Sequence, residues 1–568
     1  MLLIRRRRMV ASFGFIVAAF VGVLAHMYNI QLVHGDALAV QALHMRSEEV
    51  ALEEYVRGEI TDRHGVPLSG GHYTNRVVIF PSLMNNPDHI IKKLAALLRM
   101  DTADLAKKMR RGAFYIDRSL TSAELRQLQD DKPAGVYLLP VYRRYGSNPL
   151  AVHVTGYLGK ISSKQEYTRL EKQSSKNYRL GDWVGQSGLE YFYEPQLKGS
   201  RAVRWARVPV DARGRVIEGP GLLVDSAGID PERRNVVTTI DSRIQRIVEQ
   251  VMDRQIDNGA VVVMQAGSGD ILAMASRPDY HPDPREMAQS VQKAAGEIFI
   301  DHSTSLYQPG SVFKTVLAAA ALEEGLVRED TMFYCAGAGA EPVRCWNEGG
   351  HGHISFADAF ALSCNPVFVE IGRRLGADSI IEYAGKLGLD NQQITGYPVK
   401  KDTRQDLSLI GKPYSLANSS VGQGPVLVTP VQVTAMMNAL ACGGIYHTPR
   451  LVTGLSDGAG HLVEKITGSL PRRAIDQDTA ARLNSLLRMV TISGVGRKAG
   501  VPEWGSAGKT GSAQVAGENG PVNAWFSGYV PAENPRYVIT VLVCSGRSGG
   551  DTAAPVFRDI ASRIMKIQ

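Results

Sequence analysis

An uncharged apolar run of 22 residues, from position 9 to position 30, is the longest hydrophobic segment of the chain. A helix of that length can cross the hydrocarbon core of a bilayer, which is about 30 Å thick. Four arginines at positions 5–8 precede the run and should stay cytoplasmic, which would place everything after residue 30 outside. The alternative is a cleaved signal peptide with a tolerable cleavage site at residues 23–25, although the apolar run exceeds the usual signal core. The pattern favours an uncleaved single span.

Residues 31–230 show weaker periodicity, with short apolar strand-like pieces alternating with charged helical stretches. Residues 77–80 are an example of the first, and residues 101–111 of the second. No internal repeat or low-complexity tract interrupts them. A mixed α/β region is therefore expected here.

The pattern sharpens after residue 235. A strand should end at residues 238–240, and Asp241 should cap a helix whose apolar face includes Ile244, Val248 and Val251. Two β-hairpins are predicted, together with three intervening helices and a C-terminal helix that has Pro555 near its start. The hairpins pair residues 260–264 with 271–275 and 524–530 with 537–544; the intervening helices are 312–324, 355–375 and 430–442. An α+β fold is expected, with terminal helices on one face of an antiparallel sheet.

Composition narrows the class of protein. Hydrophobic residues make up 44% of the 568 residues and charged residues 21%, which is typical of globular domains. A mean hydropathy of −0.12, with only one long apolar run, excludes a multipass membrane protein. The net charge is +8, half of it in the N-terminal arginine cluster, so nothing favours a nucleic-acid partner.

Ser311 and Lys314 form the first candidate for chemistry. Pro309 and Gly310 break the chain just before an apolar helix, so both side chains should share a face of its first turn. A desolvated lysine can serve as the base that activates a serine. Taken alone, the pair is weak evidence for catalysis, because most Ser-x-x-Lys pairs are an N-cap serine and a solvated lysine.

Two further motifs are weak when taken singly. Ser363 and Asn365 interrupt a helix, and for these residues alone a simple helix break is the better interpretation. Lys509, Thr510, Gly511 and Ser512 begin a strand. Their Gly-Lys-Thr run is not a phosphate-binding loop, because the glycine that such a loop needs is absent at position 503 and no long helix follows.

The three motifs in this order resemble the penicillin-recognising serine acyltransferases. Further segments are similar to class B penicillin-binding proteins, the monofunctional peptidoglycan DD-transpeptidases, over nearly the whole chain. These segments are residues 57–65, 185–190, 307–314, 345–346 with 350–352, 421–424 and 524–529. The resemblance implies a cytoplasmic tail (1–8), a transmembrane helix (9–30), an elongated pedestal of the dimerisation type (31–230) and a transpeptidase domain with a β-lactamase-like fold (231–568).

The resemblance also implies roles for the site residues. Ser311 would be the nucleophile, Lys314 its base, Ser363 a proton relay and Lys509 a source of positive potential. The donor peptide would be held by Asn365, Thr510, Gly511 and Ser512. β-Lactams would acylate Ser311, and no cofactor is expected.

Partners and alternatives follow from the same resemblance. The expected partners are peptidoglycan stem peptides and a multipass glycan polymerase of the shape, elongation, division and sporulation (SEDS) class. A DD-carboxypeptidase or β-lactamase shares the motifs, and a penicillin sensor or scaffold without turnover is the non-enzyme alternative. The sequence does not distinguish division, elongation and sporulation.

Three cysteines and two histidines lie near the second motif. His351 and His353 alone do not predict a metal, because no third ligand is suitably spaced. Cys335, Cys345 and Cys364 would lie outside the membrane, where a disulfide is permitted. Free thiols are the simpler expectation, and a disulfide to Cys364 would act as a redox switch at the site.

Overall fold

The computed structural model describes residues 2–34, 47–118, 120–211, 215–217, 221–226, 228–293, 297–399, 405–515 and 520–567. An N-terminal helix begins at Leu2 and ends at Tyr28, and it continues as a π-helix over Asn29–Val33. The segment Arg6–Val33 has a mean hydropathy of 2.1, and none of it is buried. By length and composition this helix can span a membrane, as the sequence pattern predicts.

The helices and strands follow in chain order. The α-helices are α1 (Leu2–Tyr28), α2 (Pro87–Leu98), α3 (Thr102–Met109), α4 (Ser122–Asp131), α5 (Val152–Thr155), α6 (Lys164–Gln173), α7 (Gly188–Phe192), α8 (Glu194–Leu197), α9 (Ser242–Gln255), α10 (Pro284–Lys293), α11 (Lys314–Glu323), α12 (Phe356–Ala361), α13 (Asn365–Lys386), α14 (Ser415–Ser419), α15 (Pro430–Ala441), α16 (Gln477–Ile492) and α17 (Ala554–Ile564). The strands are β1 (Ser47–Ala51), β2 (Ile60–Thr61), β3 (His72–Ile79), β4 (Phe114–Tyr115), β5 (Val136–Arg143), β6 (Leu158–Lys160), β7 (Trp183–Gly185), β8 (Arg204–Pro209), β9 (Leu223–Ser226), β10 (Asn235–Thr238), β11 (Gly259–Gln265), β12 (Ile271–Arg277), β13 (Met332–Cys335), β14 (Gly352–Ser355), β15 (Ile445–Tyr446), β16 (Val452–Ser456), β17 (Leu462–Lys465), β18 (Arg472–Arg473), β19 (Ala507–Gln514), β20 (Val522–Val530) and β21 (Tyr537–Gly546).

The chain divides into two compact units that do not follow the sequence order. The first comprises Met1–Val56, His72–Arg143 and Arg201–Asp230, and the second comprises Arg57–Gly71, Arg144–Ser200 and Pro231–Gln568. The predicted boundary between residues 230 and 231 stays a prediction, because compact packing is not the same as independent folding.

The first unit contains two small sheets of three strands each, in the orders β1-β8-β9 and β4-β3-β5. Helices α2, α3 and α4 contribute Leu94, Leu105 and Leu128 to one core with Val77 and Ile79 of β3. This packing gives the mixed α/β character that the short strand-like and helical patterns predict.

The second unit is organised around a five-stranded antiparallel sheet in the order β12-β11-β21-β20-β19. Alternate residues of β11 enter different cores, because successive side chains of a strand point to opposite faces. Val261 and Val263 pack with helices α9 and α17. The ring of Phe557 in α17 lies 4.6 Å from the ring of Phe526 in β20. Val262 and Met264 pack with α11 and α15 on the other face. The predicted α+β arrangement is confirmed, with strand β19 at one edge of the sheet.

A buried ion network lies among segments of the second unit that are distant in sequence. Glu190 accepts hydrogen bonds from Arg57 Nε at 2.6 Å and from Arg144 Nε at 2.8 Å, and Arg57 also pairs with Glu194 at 2.7 Å. All four side chains are nearly inaccessible to solvent. The network therefore fastens Arg57 and Arg144 to helices α7 and α8 by interactions that water does not screen.

Candidate active site

Ser311 and Lys314 lie where a short 3₁₀ helix, Gly310–Phe313, leads into helix α11. Gly310 adopts φ +54°, a left-handed conformation that favours glycine, and its amide donates to Gly422 O at 2.9 Å. Ser311 is half-buried, whereas Lys314 is fully buried in the apolar surroundings of α11. The sequence thus places a lysine amine inside the protein one turn after the serine.

The break between helices α12 and α13 brings the second motif to Lys314. Ser363 adopts φ +56°, which is uncommon for a residue with a Cβ and is often found at functional sites. Lys314 Nζ donates to Ser363 O at 2.7 Å and to Asn365 Oδ1 at 2.7 Å, and it lies 3.4 Å from Ser363 Oγ. One amine is therefore held by both polar residues of the helix break.

Lys509 approaches the same hydroxyl from the sheet. It lies on edge strand β19, and its Nζ atom donates to Ser363 Oγ at 2.9 Å and to Thr510 O at 3.3 Å. Like Lys314, it is fully buried. The two lysines thus flank the Ser363 hydroxyl.

Burial lowers the pKa of both lysines. Desolvation lowers the pKa of Lys314 to about 7, against the smaller opposing effects of Cys364 and Cys345. Desolvation also lowers the pKa of Lys509 well below its usual value, and the neighbouring Lys314 lowers it further. Near neutral pH, a substantial fraction of Lys314 is the neutral amine that a general base requires.

Close backbone approaches hold strand β19 against the 3₁₀ turn. A Cβ on Gly511 would lie 2.4 Å from Pro309 O, and one on Gly310 would lie 2.8 Å from Ser512 O. Ser512 Oγ is exposed and accepts from the amide of Gly549 at 3.0 Å. The third motif therefore lies directly beside the turn that carries Ser311.

The three motifs that are separate in sequence thus form one wall of contacting residues. Hydrogen bonds join Lys314, Ser363, Asn365 and Lys509, while backbone contacts bring the strand of Thr510, Gly511 and Ser512 next to Ser311. Their chemical roles remain predictions.

Two contacts that support the wall carried no sequence signal. Asn365 Nδ2 donates to Arg344 O at 3.1 Å, and Trp346 Nε1 donates to Leu362 O at 2.9 Å. Both acceptors are backbone carbonyls, which any residue type provides. Only the fold reveals them.

The structure also groups four potential metal ligands behind Ser363. Ligand atoms of Cys335, Cys345, His351 and Cys364 all lie within 4.8 Å of one another. The premise that His351 has no further ligands nearby is therefore wrong. Sequence spacing did not reveal this set, because the four ligands come from separate elements: two strand ends, a loop and the start of a helix.

Two family models match the chain. Residues 259–562 match the penicillin-binding protein transpeptidase domain, and residues 53–220 match the penicillin-binding protein dimerisation domain. The first match contains every candidate site residue named above.

Individual proteins match along almost the whole chain. Stage V sporulation protein D of Bacillus subtilis is 29% identical over 98% of this chain and 85% of its own length. Peptidoglycan D,D-transpeptidase MrdA of Salmonella typhimurium is 25% identical over 99% of this chain and 96% of its own. A solved structure of a peptidoglycan synthase complex, titled for the coordination of polymerization and crosslinking, matches with a TM-score of 0.69 at 23% identity, over 99% of both chains.

Proposed function

The chain belongs to the penicillin-binding protein transpeptidases, and we propose that it is a peptidoglycan D,D-transpeptidase with Ser311 as its nucleophile. The observation that carries the proposal is the buried Lys314 amine, which is held by Ser363 and Asn365 one turn after Ser311. A serine needs an adjacent base, and a lysine whose pKa is about 7 can act as one at neutral pH.

The first half-reaction forms an acyl-enzyme. Neutral Lys314 takes the proton of the Ser311 hydroxyl as Oγ attacks the carbonyl carbon of the penultimate D-alanine. The C–N bond then breaks, and the leaving amine of the terminal D-alanine takes up a proton relayed through the Ser363 hydroxyl. Backbone N–H groups of Ser311 and Ser512 would stabilise the oxyanion, as the family arrangement implies.

The third motif would bind the terminal carboxylate of the donor peptide. Thr510 and Ser512 offer hydroxyl groups, and Lys509 offers an amine beside Ser363. Burial favours the neutral form of Lys509 in the free protein. An incoming carboxylate favours the charged form, so substrate binding would itself protonate this lysine.

The second half-reaction regenerates the enzyme. An amine of a neighbouring stem peptide attacks the ester carbon, and an amide bond forms as the C–O bond to Ser311 Oγ breaks. The proton that the amine loses returns to Ser311 Oγ. A β-lactam would acylate Ser311 in the same way and block the site. With water in place of the amine, the same chemistry would be a carboxypeptidase reaction.

Membrane topology and partners belong to the same proposal. We infer that residues 1–8 are cytoplasmic, that α1 anchors the chain and that the catalytic domain, residues 231–568, is extracytoplasmic. Glycan strands for cross-linking would come from a separate polymerase. The similarity to a protein of a peptidoglycan synthase complex supports a partner that polymerises glycan, and the family resemblance implies that this partner is a multipass protein of the SEDS class.

Reconstitution with a lipid-linked glycan polymer tests the activity. The full-length chain should produce cross-linked stem peptides with release of D-alanine, and Ser311→Ala should produce neither. Trimmed peptides without cross-links would instead establish a carboxypeptidase.

A further inference from the structure

A buried histidine lies against the tyrosine that opens the nucleophile turn, residues 307–311. The Nδ1 atom of His302 and the hydroxyl of Tyr307 are hydrogen-bonded, and the centroids of the two rings lie 6.0 Å apart. We propose that His302 and Tyr307 form a positioning pair that holds this turn, and with it the Ser311 hydroxyl, in the geometry of attack. The inference rests on the proposed acylation of Ser311 and gives a role to two residues that precede the serine.

The main chain at the start of the nucleophile turn is held by two neighbouring segments. The Tyr307 amide donates to Val428 O at 2.9 Å, and the Val428 amide donates to Tyr307 O at 2.8 Å. Trp525 Nε1 donates to Gln308 O at 3.0 Å. Because both main-chain polar groups of Tyr307 are already paired with Val428, its side chain is the part that can link the turn to a further element.

His302 is presented to this side chain by a tightly bonded turn of its own. Asp301 accepts a hydrogen bond from Ser276 Oγ at 3.0 Å and another from the amide of Ser303 at 3.0 Å. Ser276 belongs to strand β12 of the main sheet. The Asp301 carboxylate therefore ties the backbone on both sides of His302 to the sheet, and the imidazole extends from a fixed point.

The protonation states of the two rings suit a hydrogen bond between neutral groups. His302 is only 5% exposed, and burial lowers its pKa to about 4, although the nearby Asp301 opposes this effect. Burial raises the pKa of Tyr307 well above its usual value. At neutral pH the phenol therefore keeps the proton that it can donate, and the neutral imidazole can accept at Nδ1.

The pair also connects the nucleophile turn to the third motif. The ring of Tyr307 packs edge-on against Trp525 at 6.4 Å, and Trp525 pairs with Gly511 of strand β19. The Nε2 atom of His302 is buried and has no hydrogen-bond partner among the described residues, so within them the imidazole is held through Nδ1. Loss of this one bond would leave Tyr307 free to turn against Trp525.

An effect on position should appear in the chemical step of acylation. The Ser311 Oγ atom must lie close to the carbonyl carbon and to the Lys314 amine at the same time, and a displacement of about 1 Å can cost roughly 100-fold in rate. Binding of the inhibitor carboxylate is assigned to the third motif and does not require this alignment. A positioning pair therefore affects the rate of bond formation more than the affinity.

Acylation by fluorescent penicillin separates these two quantities. In the full-length, detergent-solubilised protein, the dependence of the labelling rate on penicillin concentration gives a dissociation constant and a limiting rate. Tyr307→Phe keeps the ring and removes the hydroxyl, so the limiting rate should fall by about 10–100-fold while the dissociation constant stays unchanged. The control is Tyr529→Phe, which removes another buried hydroxyl, the donor of a 2.9 Å bond to Asn484, and should label at the unmodified rate.

Two substitutions of His302 test which nitrogen matters. The amide oxygen in His302→Asn lies near the former position of Nδ1 and can accept the bond, whereas the longer side chain in His302→Gln reaches towards the position of Nε2. His302→Asn should therefore keep most of the limiting rate, and His302→Gln should lose as much as Tyr307→Phe. The double variant of His302→Gln with Tyr307→Phe should be no slower than either single variant, because both remove the same contact.

The outcomes distinguish this inference from the proposed function. An unmodified protein that is labelled no more than Ser311→Ala would refute the proposed function, and the positioning role with it. If the unmodified protein is labelled, an unchanged limiting rate in Tyr307→Phe would overturn the positioning role alone. Equal losses in His302→Asn and His302→Gln would also overturn it, as would a change confined to the dissociation constant. If His302→Gln does not fold, the comparison of Tyr307→Phe with Tyr529→Phe still decides.

Discussion

The Nζ atom of Lys509 donates a 2.9 Å hydrogen bond to the Oγ atom of Ser363, across 146 residues of sequence. This contact joins the edge strand of the main sheet to the break between two helices. Lys314 reaches the same residue from a third element. Proton transfer in the proposed mechanism depends on this convergence, because each step needs a donor and an acceptor already in contact.

Replacement of Ser363 by alanine should remove the proton relay and leave the other residues of this wall in place. We expect the rate of acylation by fluorescent penicillin to fall by about 10²–10⁴-fold, the usual contribution of general acid–base catalysis. The acylation rate is measured by labelling the purified protein with fluorescent penicillin and stopping the reaction at a series of times. Ser485→Ala, on the exposed side of α16, is the control. An unchanged rate in Ser363→Ala would remove this residue from the mechanism.

The acylation rate should follow the titration of Lys314. Because the neutral amine is the base and its pKa is about 7, the rate should rise with pH through neutrality and level off above it. Burial lowers the pKa of this amine, and Cys364 and Cys345 oppose the effect of burial. Lys314 in turn lowers the pKa of the neighbouring Lys509. Labelling rates are measured over a pH series, and the residual labelling of Ser311→Ala is subtracted at each pH to give the pH profile of acylation. A midpoint near the usual lysine value would contradict a buried neutral base.

Replacement of Glu190 by glutamine should destabilise the second unit. The change leaves Arg57 and Arg144 buried without their shared carboxylate, which costs about 3–5 kcal/mol in the free energy of unfolding. Denaturant unfolding measures the loss. Asp551→Asn, which breaks the exposed Lys498–Asp551 pair, is the matched control and should cost at most about 1 kcal/mol. Equal losses of unfolding free energy in the two variants would show that the buried network stabilises the protein no more than an exposed ion pair does.

Replacement of Gly511 by alanine should displace strand β19 from the nucleophile turn. The added Cβ would lie 2.4 Å from Pro309 O, so the backbone must shift. Penicillin labelling of Ser311 should fall sharply while the far-ultraviolet circular dichroism spectrum stays close to that of the unmodified protein. Gly339→Ala, whose Cβ would meet no atom of the described residues within 4 Å, should label normally. Normal labelling of Gly511→Ala would show that the turn tolerates the shift.

Much of the second unit follows from local sequence signals. The predicted helix at residues 430–442 is observed as Pro430–Ala441, and both hairpins form with the expected pairing of strands. Asp241 caps its helix through the amide of Arg243, as predicted. These elements depend on hydrophobic periodicity and capping, which can be seen within a few residues.

The remaining features depend on contacts that no local pattern encodes. The left-handed backbone of Ser363 arises where two helices meet, and sequence indicates only that a break occurs there. The convergence of Cys335 with Cys364 requires a strand end and a helix start to meet. Spacing rules recognise ligands that share one element or loop, so they missed this set.

The edge position of strand β19 has a consequence for recognition. An edge strand presents backbone N–H and C=O groups that an extended peptide can pair with as an additional strand. Strand β19 carries Lys509, Thr510 and Ser512, so a peptide docked there would lie alongside the proposed nucleophile. We therefore expect the donor stem peptide to be recognised largely through its main chain, by β-augmentation. Such recognition tolerates varied side chains and demands only an extended conformation.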